Sequence, residues 1–421
     1  MSPDLSLYLH VPFCLSKCPY CDFYSAAVGA LGVEPEEYFQ LVAHELERLC
    51  FEDKSLPRRR LVTLYFGGGT PSLVDPGLYR RFFEHLRNIF ELARRLECTL
   101  EVNPGTVEEQ RTADNGRRTT DNEKQAAGYR LQAAGKSTDR NLQQDRLDEF
   151  LRRGVNRLSV GVQSFSDETL AGLGRAHRST DTRMLLDRLR RVSASGNLTW
   201  GIDLIFGAPG QAIAQWENDL DAAIRYEPHH ISVYGMTVHE GTPFGDLRQA
   251  GRLELPDEES LRAMFLLARR RLIAAGYEHY EISNYAQPGF RSRHNERYWT
   301  GGDYLGLGVA AHSFVGGVRW SNPANLAHYR ENLKAGRLPR QIEPPPQGRA
   351  RWGEQVMLGL RRLEGMDLAE FREQFGADLA VLYGKEIARL ADAGLIEVAD
   401  GRLRLTEEGL LVADAVTAEF F

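Results

Sequence analysis

The chain reads as an α/β protein built on a parallel sheet, followed by a small α+β unit. Three observations predict this. Apolar strand-length runs alternate with amphipathic helical stretches from Leu5 to Val233, the pattern of βαβ units. About six such units fit before residue 240, short of a closed eight-fold barrel. After a proline-rich stretch, the last seventy or so residues read helix, helix, helix, then hairpin.

The elements follow in order. Leu5 to Val11 is a short buried strand that runs into Cys14. Glu36 to Leu49 carries Tyr38, Leu41, Val42, Leu46 and Leu49 on one helical face. Leu61 to Phe66 is nearly all apolar, as a strand covered on both faces should be, and it ends at Gly67-Gly-Gly-Thr-Pro71. Pro76 to Leu96 has helical spacing, and Thr99 to Asn103 is a third strand. From Arg111 to Arg146 the only large apolar residues are Tyr129, Leu131 and Leu142, so a polar insertion is expected there. The rhythm resumes with strands at Arg157–Gly161, Thr199–Phe206 and His230–Val233, separated by helices at Thr180–Ser193 and Ala214–Tyr226. Pro256 to Ala275 is helical. The expected organisation is a barrel over 1–240, an extension over 241–338, a linker over 339–349 and a winged-helix-like unit over 350–421, with Asp400-Gly401 at its hairpin tip.

Composition narrows the function classes. Of 421 residues, 42% are hydrophobic and 26% charged, ordinary for a globular protein. The net charge of −6 leaves no basic footprint for nucleic acid. The helix Val381–Ala393 balances Lys385 and Arg389 against Glu386 and Asp392, unlike a helix that reads bases. A metal-bearing nucleic-acid binder is therefore disfavoured. No apolar run is long enough for a membrane span, although peripheral association stays open. No secretion signal is visible, so a cytoplasmic location is expected, where thiols stay reduced.

Three of the five cysteines fall in Cys14-Leu-Ser-Lys-Cys18-Pro-Tyr-Cys21. A zinc site usually takes four N/S ligands and paired C-x2-C units, and no second unit follows. Cys50 and Cys98 are isolated and read as core residues. Three clustered thiolates suit a four-iron cluster with one iron left open. This spacing resembles the radical S-adenosylmethionine (SAM) superfamily, whose architecture is a partial (β/α)6 barrel. There the amino and carboxylate groups of SAM chelate the open iron.

The resemblance becomes more specific along the chain. Tyr8-x-His10-x-Pro12-Phe13-Cys14, Gly67-Gly-Gly-Thr-Pro71, Glu101-Val-Asn-Pro104, Gly161-Val-Gln-Ser-Phe165 and Asp203-Leu-Ile-x-Gly-x-Pro209 are similar to the oxygen-independent coproporphyrinogen III oxidase group. By that resemblance Cys14, Cys18 and Cys21 hold a 4Fe–4S cluster. Tyr8, Tyr20, Gly68, Gly69, Thr70, Glu101, Gln163, Arg175, Asp203 and the backbone near Thr237 meet SAM.

The group has two branches. Its dehydrogenases oxidatively decarboxylate two propionates of coproporphyrinogen III, with a longer N-terminal segment and a further cysteine two residues past the third. Here that position is Phe23. The strings Cys21-Asp-Phe23 and His294-Asn-x-x-Tyr298-Trp299 resemble instead the HemW-type branch, haem chaperones that pass haem to proteins such as respiratory enzymes. That resemblance implies haem, haem-accepting clients and an electron donor as partners. It also implies a capacity for reductive SAM cleavage without coproporphyrinogen dehydrogenase activity. The dehydrogenase is the alternative. His294 is the expected haem ligand, on an exposed loop, with Arg291, Arg293 and Arg297 placed for the propionates. His312 is the competing candidate.

Overall fold

The structure is a computed structural model that describes residues 4–107 and 146–421. The polar segment 111–146 therefore lies outside the described residues, except for Arg146. Six strands form the parallel heart of the molecule: β1 (Asp4–Val11), β2 (Arg60–Gly68), β3 (Glu91–Val102), β4 (Arg157–Gln163), β5 (Thr199–Phe206) and β6 (His230–Gly235). They lie side by side in sequence order, each parallel to the next. Tyr304–Leu307 continues the parallel run beyond β1. Three antiparallel strands follow it: His312–Val315, Val318–Ser321 and Gln341–Glu343. Beyond β6 lie Asn284–Ala286 and then Glu278–Glu281, both antiparallel. The twelve strands make one sheet with two edges.

Each parallel strand is apolar toward the surrounding helices. In β1 Leu5, Leu7, Leu9 and Val11 are fully buried, and in β2 Leu61, Leu64 and Phe66 are too. The helix Pro35–Glu52 covers β1 with Tyr38, Val42 and Leu46. It carries one buried carboxylate on that face, Glu45. Glu45 accepts from the Tyr329 hydroxyl at 2.6 Å, the Asn322 amide at 2.5 Å and the Gly308 N–H at 2.8 Å. The helix thus grips the loop that follows Tyr304–Leu307.

Two expectations are corrected here. The helix expected to reach Leu96 stops at Ile89, where Phe90 turns extended. The next residues belong to β3, whose register slips against β2 so that Leu61 faces Leu92 but Thr63 faces Glu97. Leu92 and Leu96 sit four apart because a bulge lies between them, and that spacing imitates a helix. Part of the segment expected as a linker, Gln341–Glu343, is a strand at the sheet edge.

The C-terminal region follows the predicted order. Helices Arg349–Arg361, Leu368–Phe375 and Leu379–Asp392 precede the hairpin Ile396–Ala399/Arg402–Leu405. Asp400 and Gly401 both have positive φ, at 53° and 73°, as the favoured two-residue hairpin turn requires. The region has its own core around Val356, Phe371, Tyr383 and Leu403. Glu386 pairs with Arg349 at 2.6 Å and Arg389 with Glu419 at 2.5 Å, so charges of that third helix are paired at the surface within the region. Among the described residues no helix is long and apolar enough to cross a membrane.

Candidate functional site

At the carboxyl ends of the strands the sheet encloses a cavity of about 410 Å³. Its wall follows from the two-residue period of a strand, which sends alternate side chains to one face. Arg157, Ser159, Gly161 and Gln163 of β4 line it, as do Thr99 and Glu101 of β3 and His230, Ser232 and Tyr234 of β6. One face of each strand packs in the apolar core, and the other is polar.

The cysteine loop forms the mouth. The two-residue strand Phe13–Cys14 pairs with Ala26–Ala27 and closes the loop on itself. His10 bonds the Tyr24 carbonyl at 2.8 Å and ties the return of the loop to β1. Gly69 N–H donates to the Val11 carbonyl and Thr70 N–H to the Phe13 carbonyl, at 2.8 and 2.7 Å. Glycine is required there. A Cβ on Gly68, which has φ 111°, would fall 2.6 Å from the His10 ring, and one on Gly69 would fall 2.7 Å from the Phe13 carbonyl oxygen. The glycine run therefore serves the close approach of β2 to the cysteine strand.

Cys14, Cys18 and Cys21 are free thiols, and all three line the cavity. Burial pushes the Cys14 and Cys21 thiols up. Among the described residues no three His, Cys, Asp or Glu side chains gather as ligands of a single metal ion. Three thiols on one loop facing one cavity suit a polynuclear cluster, which takes one thiolate per iron. Arg175 supports them, with Nη1 at 3.5 Å from Cys18 Sγ and 3.4 Å from the Tyr20 hydroxyl. Its Nη2 donates to Asn103 Oδ1 at 2.6 Å and to the Gly161 carbonyl at 3.2 Å. Such hydrogen bonds to sulfur tune a bound cluster.

Glu101 accepts from the Tyr65 hydroxyl at 2.9 Å and the Gly68 N–H at 3.0 Å. Burial pushes its carboxyl up to about 7, and the neighbouring Asp203 adds to this. Asp203 receives the Ser159 hydroxyl on both oxygens, at 3.2 and 3.0 Å, and burial raises its pKa as well. Thr70 is buried, and its hydroxyl accepts from the Asn103 amide at 2.9 Å. Gln163 stands at a register slip of β4 with φ 64°, a strained conformation for a residue with a side chain. Thr237 is exposed at the rim just past β6.

Of the fourteen residues assigned from sequence, twelve line this cavity. Tyr8 lies behind it, bonded to His10 Nδ1 at 3.1 Å. His294 does not line it and does not sit on an exposed loop. It starts the helix Arg293–Trp299 and is 1% exposed. Its Nδ1 bonds the Thr63 hydroxyl at 2.7 Å and its Nε2 the Tyr298 hydroxyl at 2.9 Å. Burial pushes its pKa down to about 3, so the ring is neutral. Both nitrogens are engaged, and neither offers a lone pair to iron in this conformation. The three arginines are engaged too. Arg291 pairs with Glu278 at 3.2 Å, Arg293 donates to the Arg95 carbonyl at 2.6 Å and Arg297 to the Asp4 carbonyl at 3.0 Å. His312 is exposed on the strand His312–Val315. Sequence reasoning missed Tyr65, Asn103, Ser159 and Arg157. Strand parity would have found Ser159 and Arg157, two and four residues before Gly161.

Residues 8–223 match the model of the radical SAM superfamily, and residues 347–412 that of the HemN C-terminal domain. The heme chaperone HemW of Escherichia coli is 35% identical over 74% of this chain and 71% of its own. The HemW of Haemophilus influenzae is 31% identical over 97% and 96%, and that of Bacillus subtilis 29% over 99% and 98%. The chain belongs to the radical SAM superfamily and, within it, to the heme chaperone HemW family. The solved coproporphyrinogen III oxidase HemN of Escherichia coli shares the fold, with a TM-score of 0.77 at 22% identity, covering 100% of this chain and 90% of that one. The HemW relatives of Bacillus subtilis and Haemophilus influenzae match along both the barrel and the C-terminal region.

Proposed function

We propose that the chain is a haem chaperone that carries a 4Fe–4S cluster and SAM and delivers haem to client proteins. The observation that carries this reading is the family membership along the whole length of the chain. Phe23 supports the chaperone branch, since it stands 60% exposed at the cavity mouth where a dehydrogenase would carry a further cysteine. Cys14, Cys18 and Cys21 would hold the cluster, and its free iron would supply reductive chemistry on SAM. Arg175 would orient the Cys18 thiolate. Glu101 and Asp203 would receive hydroxyl or ammonium groups of the ligand, and Gln163 and Thr70 would frame its other side. The cytoplasm, a separate electron donor and haem-accepting clients complete the reading.

The test is anaerobic reconstitution followed by parallel assays. The wild type should show a four-iron chromophore, bind haem and SAM, and form no decarboxylated product from coproporphyrinogen III. Cys14→Ala, Cys18→Ala and Cys21→Ala should each lose the chromophore, while Cys50→Ala and Cys98→Ala should keep it. Full cluster retention in Cys18→Ala would sink the cluster assignment. Multiple-turnover decarboxylation would restore the dehydrogenase.

A further inference from the structure

The cavity continues down the strands, past the residues assigned to cluster and SAM. Its floor holds a guanidinium that no carboxylate contacts directly among the described residues. Arg157 opens β4, six residues before Gln163, which is about 20 Å along a strand. It is 6% exposed, and it lines the cavity. Among the described residues its one direct hydrogen bond runs from Nη1 to the Phe290 carbonyl at 3.1 Å. Among the described residues no carboxylate comes within 4 Å of it. Asp203 acts on it electrostatically from farther off, without a direct contact.

The neighbours of Arg157 are polar and uncharged. His230 is buried, bonded through Nε2 to the Tyr280 hydroxyl at 2.8 Å, and held neutral by burial and by Arg157 itself. Ser292 and Asn295, at the start of the Arg293–Trp299 helix, line the same cavity. The Asn295 side-chain amide makes no hydrogen bond within the described residues. The His294-Asn-x-x-Tyr298-Trp299 string thus presents its asparagine to the cavity while its histidine is locked behind the wall.

A guanidinium taken out of water without a partner is costly, and removing one member of a buried ion pair exposes that cost. A ligand that brings an anion to this floor relieves it. Arginine matches the planar, two-oxygen geometry of a carboxylate.

We propose that Arg157 and Asn295 form a carboxylate subsite at the floor of the cavity, and that it receives a propionate of the tetrapyrrole. This rests on the haem reading above. It replaces Arg291, Arg293 and Arg297, none of which lines the cavity, with a buried arginine that does. The cysteine loop and the subsite then face the two ends of one cavity, so a ligand is held by its acid group below and meets the cluster end above.

The test compares haem with haem dimethyl ester, both delivered from the same detergent and followed by Soret absorbance on the reconstituted full chain. Wild type should bind the free acid roughly tenfold or more tighter than the ester, the worth of one charge-assisted contact. Arg157→Gln should abolish that difference by weakening the acid alone, and Asn295→Ala should reduce it less. Arg157→Lys, which keeps the cation, should retain part of the preference. The ester comparison needs no variant, so poor folding of Arg157→Gln does not shield the proposal. Wild type that binds acid and ester alike overturns the subsite and leaves the haem reading standing. Wild type that binds neither overturns the haem reading itself. A preference that survives in Arg157→Gln, or a loss confined to SAM affinity, also overturns the subsite.

Discussion

Two buried glutamates have almost the same immediate chemistry and opposite uses. Glu45 and Glu101 each accept a tyrosine hydroxyl and a glycine N–H, and burial pushes each up to about 7. Glu45 has a third donor, the Asn322 amide, and does not line the cavity. Glu101 faces the cavity, with a second carboxylate, Asp203, close enough to raise it further. A perturbed carboxylate alone does not mark a functional site. The distinguishing features are an open space and a like charge that only a ligand can relieve.

Three measurements can break this contrast. The largest effect is expected for Glu45→Ala. It strands the Tyr329 hydroxyl, the Asn322 amide and the Gly308 N–H without a shared acceptor, at a cost of about 3–5 kcal/mol in urea unfolding. A loss below about 1 kcal/mol would show that the network is dispensable. Next comes Glu101→Gln, which should change unfolding stability by less than about 1 kcal/mol, because cavity water can replace what it loses. Its SAM affinity should fall at least about tenfold. Intact SAM binding would place Glu101 with Glu45 as a structural group.

The smallest effect is in pH dependence. The unfolded Glu45 carboxyl releases its proton near the ordinary 4.5, the folded one near 7. The folded state holds the extra proton between these values, so this contribution to stability is full below about 4.5 and is lost as pH rises through 7. Thermal melts of the apo-protein at pH 5 and pH 8 should show the wild type losing more stability than Glu45→Gln. Parallel losses in the two proteins would remove Glu45 as the titrating group.

The strand-and-helix frame was legible because covered parallel strands are unbroken apolar runs. It failed at β3, where a bulge spaced Leu92 and Leu96 like a helix. The cysteine mouth was legible because its ligands are consecutive in sequence. At the floor, strand parity could place Arg157 but not Asn295, because the two come to line one cavity only through the folding of the sheet. His294 misled for a related reason: a string dense in polar and aromatic residues reads as a surface loop, while its ring bonds Thr63 of β2, which in turn bonds Ser6 of β1. Glu45 was in plain view, a charge on the apolar stripe of its helix, and its buried partners explain it.

Gln163 carries a consequence for evolution in the laboratory. A glycine at this left-handed position would relax the backbone by roughly 1 kcal/mol or more. A selection for heat resistance alone would find that substitution early and would discard the amide that reaches the cavity. The chain is therefore held off its stability optimum at this point, and thermostable descendants that keep Gln163 would have been chosen for what they bind.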